Sequence, residues 1–228
     1  MNSTLSTIKP VRRETLQTAV YEQLCELILE GNLAPGESIT VANIAKAFDV
    51  SPMPVREAIT RLMAAGALTV VSGRSIGVPQ LDRSVFTDLR NVRLEIETVS
   101  LRWAIQNATE AFHRDLEDKL SAMISAEQKG EVKGFIRANY EFHFAIYQQA
   151  KSPVLLETIS KIWLRINPYF HLLQQSGHYK ISNDQHSEMV EGIVQNDENK
   201  AVEALKRDIS SAYNTMVSQL AGKKETSQ

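Results

Sequence analysis

The sequence predicts a mainly α protein in two parts: an N-terminal winged helix-turn-helix domain, then an all-α six-helix bundle. Three observations predict it. Residues 16–64 carry helix-spaced apolar stripes broken by Gly31-Asn32, Pro35-Gly36 and Ser51-Pro52. Two short apolar runs, 68–71 and 76–78, flank Ser72-Gly73-Arg74-Ser75 as a hairpin. From Ser84 to Leu220 glycine and proline become sparse and the pattern is helical throughout.

Residues 1–14 read as a flexible polar arm. A helix over about 16–30 follows, with Leu16, Val20, Leu24, Leu27 and Ile28 on one stripe. The next spans 41–48 and turns Ile44, Ala45 and Phe48 inward. Ser51 is the expected N-cap of a third helix, and Pro52 takes the first helical position, where a missing N–H costs nothing. Val55, Ile59, Leu62 and Met63 form its core face, and Gly66 stops it. The winged-helix domain therefore covers 15–80. The bundle covers 81–221, with helices over about 84–108, 110–129, 132–150, 153–175, 183–196 and 198–220. Residues 222–228 read as a disordered tail.

Composition narrows the class. No apolar run approaches the roughly 18 residues that span a membrane, so no membrane partner is expected. Met1 to Pro10 lack the apolar core of a secretion signal. Cys25 is the sole cysteine, which excludes an internal disulfide and a CxxC knuckle; a cytoplasmic setting fits. Residues 1–81 hold seven Lys/Arg and seven Asp/Glu, so nucleic-acid affinity cannot rest on bulk charge. It rests on placement: Lys9, Arg12 and Arg13 in the arm, Arg56 and Arg61 on the third helix, Arg74 at the hairpin tip.

Helix, tight turn, helix, hairpin is the order that presents a helix to the DNA major groove with a wing beside it. Arg56 near the helix start suits guanine O6 and N7. Ser51, Pro52 and Met53 stand at the phosphate-facing helix start. Arg61 is a phosphate candidate, and Gly73 and Arg74 suit a wing tip. The residues at Tyr21, Leu24, Ile28, Gly31, Leu33, Pro35-Gly36, Ile44-Ala45, Val50-Ser51, Pro54-Val55-Arg56-Glu57-Ala58, Leu62, Gly66-Ala67-Leu68 and Gly73-Arg74 resemble the winged helix of the GntR family of bacterial transcription regulators. The helical remainder resembles the FadR-type subfamily with an FCD-like effector domain. Pro52 stands where many members have Arg, Ala42 and Asn43 where charge is common, and Thr60 at a frequent Arg. Operator preference is therefore not transferred; Asn43 and Met53 are replacement contacts to consider.

Polar side chains interrupt the bundle's inner stripes. Asn139 and His143 lie one turn apart on helix 132–150, His186 begins the stripe of its helix, and Asp208 lies on the inner face of the last. A buried carboxylate is costly unless paired or metal-bound. Two imidazoles, a carboxylate and an amide suit zinc, nickel or manganese; the same groups could instead satisfy one another with waters, and both readings stand. The resemblance implies a metal at these positions, with Asp208 where a third His is usual. His113, His171 and His178 fall outside the stripes and read as surface or loop residues. Arg93 and Glu97 fit an exposed i,i+4 pair, yet the resemblance implies an effector carboxylate on Arg93, with Arg165 a second candidate.

These features are read as a homodimeric regulator, expected to act as a repressor, that binds a pseudo-palindromic double-stranded DNA operator and, as the resemblance implies, a small organic acid. Two rivals remain: a two-His-one-carboxylate metal enzyme, which lacks a further base or nucleophile, and a DNA-binding dimer without an effector.

Overall fold

Capping and glycine turns set the element boundaries in the computed structural model, which describes residues 16–225 apart from Ala34, Gly36, Arg74 and Leu81. The expected arm lies outside the described residues. Helix α1 (Leu16–Leu29) buries Val20, Leu24, Ile28 and Leu29. It ends at left-handed Gly31 (φ 70°), where Asn32 N–H reaches back to the Leu27 carbonyl at 2.9 Å. Strand β1 (Ser38–Thr40) leads into α2 (Val41–Ala47), whose N-cap Thr40 hydroxyl accepts from Asn43 N–H at 3.2 Å. After α2 the chain turns through Asp49 (φ 52°) into α3 (Pro52–Ala64). Strands β2 (Thr69–Ser72) and β3 (Ser75–Gly77) follow, and β3 lies between β1 and β2, antiparallel to both. The strand over 38–40 was not expected; three residues are too few to show alternation.

Helix α4 (Arg83–Gln106) is capped by the Asp82 carboxylate, which accepts from the Ser84 and Val85 amides. Then come α5 (Glu110–Lys129), α6 (Val132–Gln149) and α7 (Pro153–Ile166). A 3-10 helix spans Asn167–Ser176, where one α-helix over 153–175 was expected. Pro168 has no N–H to give, and its ring clashes with the carbonyl four residues back, so the α geometry stops before it. Helix α8 (His178–Val194) starts five residues earlier than the periodicity suggested. Helix α9 (Glu198–Glu225) continues past Leu220 through most of the expected tail.

α8 packs on α9, α5 on α6 and α8, and α4 on α6, α7 and α9. Leu101, Leu116, Met123, Phe142 and Ile159 are fully buried at the bundle's core. The winged helix sits directly on the bundle. Lys133 Nζ bonds the Asn32 side chain at 2.9 Å, the Asn167 amide donates to the Leu29 carbonyl, and Tyr169 Oη to the Pro79 carbonyl.

Candidate functional site

Ser51, Pro52, Met53, Arg56 and Arg61 all lie exposed on α3 or at its start, while Val55, Ala58, Ile59 and Leu62 anchor the opposite face. Ser51 occupies the N-cap position but its hydroxyl makes no capping bond, so it is free to meet a phosphate. Pro52 and Pro54 carry no N–H, which leaves Met53 as the main free amide at this helix start. Met53 is 66% exposed, an unusual place for a large apolar side chain. The Arg61 guanidinium stacks on the Tyr21 ring at 3.7 Å, which holds it against α1. Gly73 turns the wing at φ 52° with open space around it. Arg74 lies outside the described residues.

The second constellation is interior. α6 carries Asn139, His143 and Tyr147 at four-residue spacing, so all three share one face. α8 brings Ser182 and His186, α9 brings Asp208, and α4 brings Arg93 and Glu97. His143 Nε2 stands 3.0 Å from His186 Nε2 and 3.4 Å from Asp208 Oδ2; His186 Nε2 is 3.4 Å from Asp208 Oδ1. The donor atoms of these three residues all lie within 4.8 Å of one another. Ligands bonded at about 2.0–2.2 Å to one ion stand roughly 3.0–3.5 Å apart, so the donor set fits a divalent cation. Asn139, 4% exposed, lies one turn before His143.

Electrostatics prepare the donors. Burial lowers the His143 imidazole, outweighing the pull of Asp208. Burial alone would raise the Asp208 carboxyl, but His186 and His143 hold it well below the usual carboxylate range. A neutral imidazole and an ionised carboxylate are the forms a metal takes. Ser182 Oγ donates to Asp208 Oδ1 at 2.8 Å, orienting the carboxylate.

Arg93 and Glu97 are not an exposed pair. They are 4% and 0% exposed, bonded at 2.6 Å (Nε to Oε1) and 3.2 Å (Nη2 to Oε2). Tyr147 and Trp163 also donate to Glu97, at 2.6 and 3.0 Å. Arg93 thus joins the interior site, but Arg165 does not: a Cβ at Gly66 would meet its Nε at 3.2 Å. There Arg165 lines a cavity of about 250 Å³ between α3's end and the bundle. His178, expected at the surface, is 2% exposed with Nδ1 3.0 Å from Thr215 Oγ1, because α8 begins at that residue. Tyr147 and Ser182 were given no role in the sequence, although each lies four residues from a recognised polar neighbour, and Glu97 was read there only as the exposed partner of Arg93.

Comparison with known proteins agrees with both halves. Residues 16–78 match the bacterial regulatory proteins of the gntR family, and residues 88–211 match the FCD domain. The chain is similar to the HTH-type transcriptional regulator McbR of Escherichia coli K12, 29% identical over 166 residues, covering 73% of this chain and 75% of McbR. It is also similar to the Nta operon transcriptional regulator of Aminobacter aminovorans, 30% identical over 154 residues, 67% of this chain and 71% of that one. The solved structure of E. coli McbR/YncC superposes with a TM-score of 0.83 at 24% identity, covering 91% of this chain and all of that one, which supports the fold. A helix-turn-helix with an exposed arginine helix, joined to an FCD bundle, belongs to the GntR family: this chain is a DNA-binding transcription regulator and not an enzyme.

Proposed function

We propose that this regulator is a cytoplasmic homodimeric repressor whose operator binding is relieved by a small organic acid. α3 reads a pseudo-palindromic operator through Arg56, with Ser51, Met53 and Arg61 on phosphates and the wing at Gly73 and Arg74 beside them. The bundle holds a divalent cation (zinc, nickel or manganese) on His143, His186 and Asp208, with the Asn139 amide as a fourth donor. The cation supplies a Lewis-acidic point for an effector carboxylate, and Arg93 supplies the second cationic contact.

One observation carries this reading: three helices aim two imidazoles and a carboxylate at one interior point, and Arg93 stands in the same buried group. Self-association is supported by α4, whose outer face exposes Val85, Val92 and Val99 at seven-residue spacing, with Trp103 one turn on. Elemental analysis of untagged protein tests the metal: about one ion per chain is expected, and none after His143→Ala with His186→Ala. Equal trace metal in both would reject the site.

A further inference from the structure

Tyr147 Oη lies between two partners, 2.6 Å from Glu97 Oε2 and 3.2 Å from His143 Nδ1. A phenol has one proton to donate. The carboxylate takes it, being closer, charged and ion-paired with Arg93. Toward His143 the Tyr147 oxygen can therefore only accept. Nδ1 of His143 must carry the hydrogen, and Nε2 must present its lone pair toward His186 and Asp208.

We infer that Glu97 and Tyr147 are positioning residues, forming a relay Arg93–Glu97–Tyr147–His143 that holds His143 in the metal-ready tautomer and ties it to α4. Every oxygen of Glu97 is engaged: Oε1 by Arg93 and Trp163, Oε2 by Arg93 and Tyr147. The carboxylate has no freedom to turn, so Tyr147 has one orientation. Any ligand that draws Arg93 from Glu97 disturbs His143 through two hydrogen bonds. The inference rests on the metal reading proposed above, and its test separates the two.

Metal-stripped full-length protein is titrated with Co²⁺, followed by its visible absorption, and with Zn²⁺ in competition. Wild type is expected to bind with a defined spectrum. Tyr147→Phe, which keeps the buried ring, is expected to weaken binding about 10- to 100-fold and shift the cobalt bands. Wild type taking up no Co²⁺ overturns the metal reading and the relay together. Wild type binding with Tyr147→Phe identical in affinity and spectrum overturns the relay alone. Nitrogen-15 correlation spectra of metal-free wild type, with His143 assigned through His143→Gln, do not depend on the Tyr147 variant folding. Nδ1–H is expected, and a proton on Nε2 overturns the relay.

Discussion

At the residue scale, the clustering of His143, His186 and Asp208 was legible and its support was not. His143, His186 and Asp208 could be read because each interrupts an apolar stripe, and a stripe needs only helical spacing. Glu97 was hidden inside what spacing describes as an ordinary surface ion pair. Only burial, 0% exposed, with Tyr147 and Trp163 donating across from α6 and α7, gives it its role. Arg56 is the residue whose loss is read most simply. It is exposed and anchors no core, so Arg56→Ala should leave the melting temperature unchanged. Operator affinity should fall by about 1–3 kcal/mol, roughly 5- to 150-fold, in fluorescence anisotropy. Unchanged affinity would move base reading elsewhere on α3. Glu97→Gln should be strongly destabilising, by about 3–5 kcal/mol, because it strands the buried Arg93 charge. A chemical-denaturation midpoint equal to wild type would show that Arg93 finds water instead.

At the element scale, long amphipathic helices were legible and junctions were not. α5 and α6 begin at the residues their periodicity indicates, whereas α8 begins five residues early and so buries His178. The expected helix over 183–196 left Ser182 outside it, yet Ser182 and Asn183 are buried, and Ser182 donates to Asp208. Helix pairing also depends on one small residue. A Cβ at Gly192 on α8 would stand 2.6 Å from the backbone nitrogen of Ala201 on α9. Backbone cannot move aside as a side-chain tip can, so Gly192→Ala should cost about 1–3 kcal/mol. Thermal unfolding checks this; an unchanged midpoint would mean that α8 and α9 can part without loss.

At the scale of the molecule, pH reports on the same interior. Burial lowers His143 and His178, so the unfolded chain takes up protons on these groups before the folded one. Stability is therefore full above about pH 6.5 and falls as the pH drops below it. Asp208, held low by its imidazoles, adds a further loss as the pH falls through about 4 and below. Metal-stripped protein should accordingly melt lower at about pH 5.5 than at about pH 7.5, and a higher melting point on acidification would contradict this assignment. The two-part architecture was legible throughout. Its joint was not, because Asn167, Tyr169 and Lys133 meet α1 and the wing linker only through tertiary contact.

The most direct measurement selects a duplex from random DNA with metal-loaded protein, then titrates it by anisotropy against a panel of small organic acids. At least one acid should weaken wild-type binding about 5- to 150-fold, the usual span of such coupling, and leave Arg93→Ala unaffected. Operator affinity that no acid alters, in protein that carries its metal, would contradict the account.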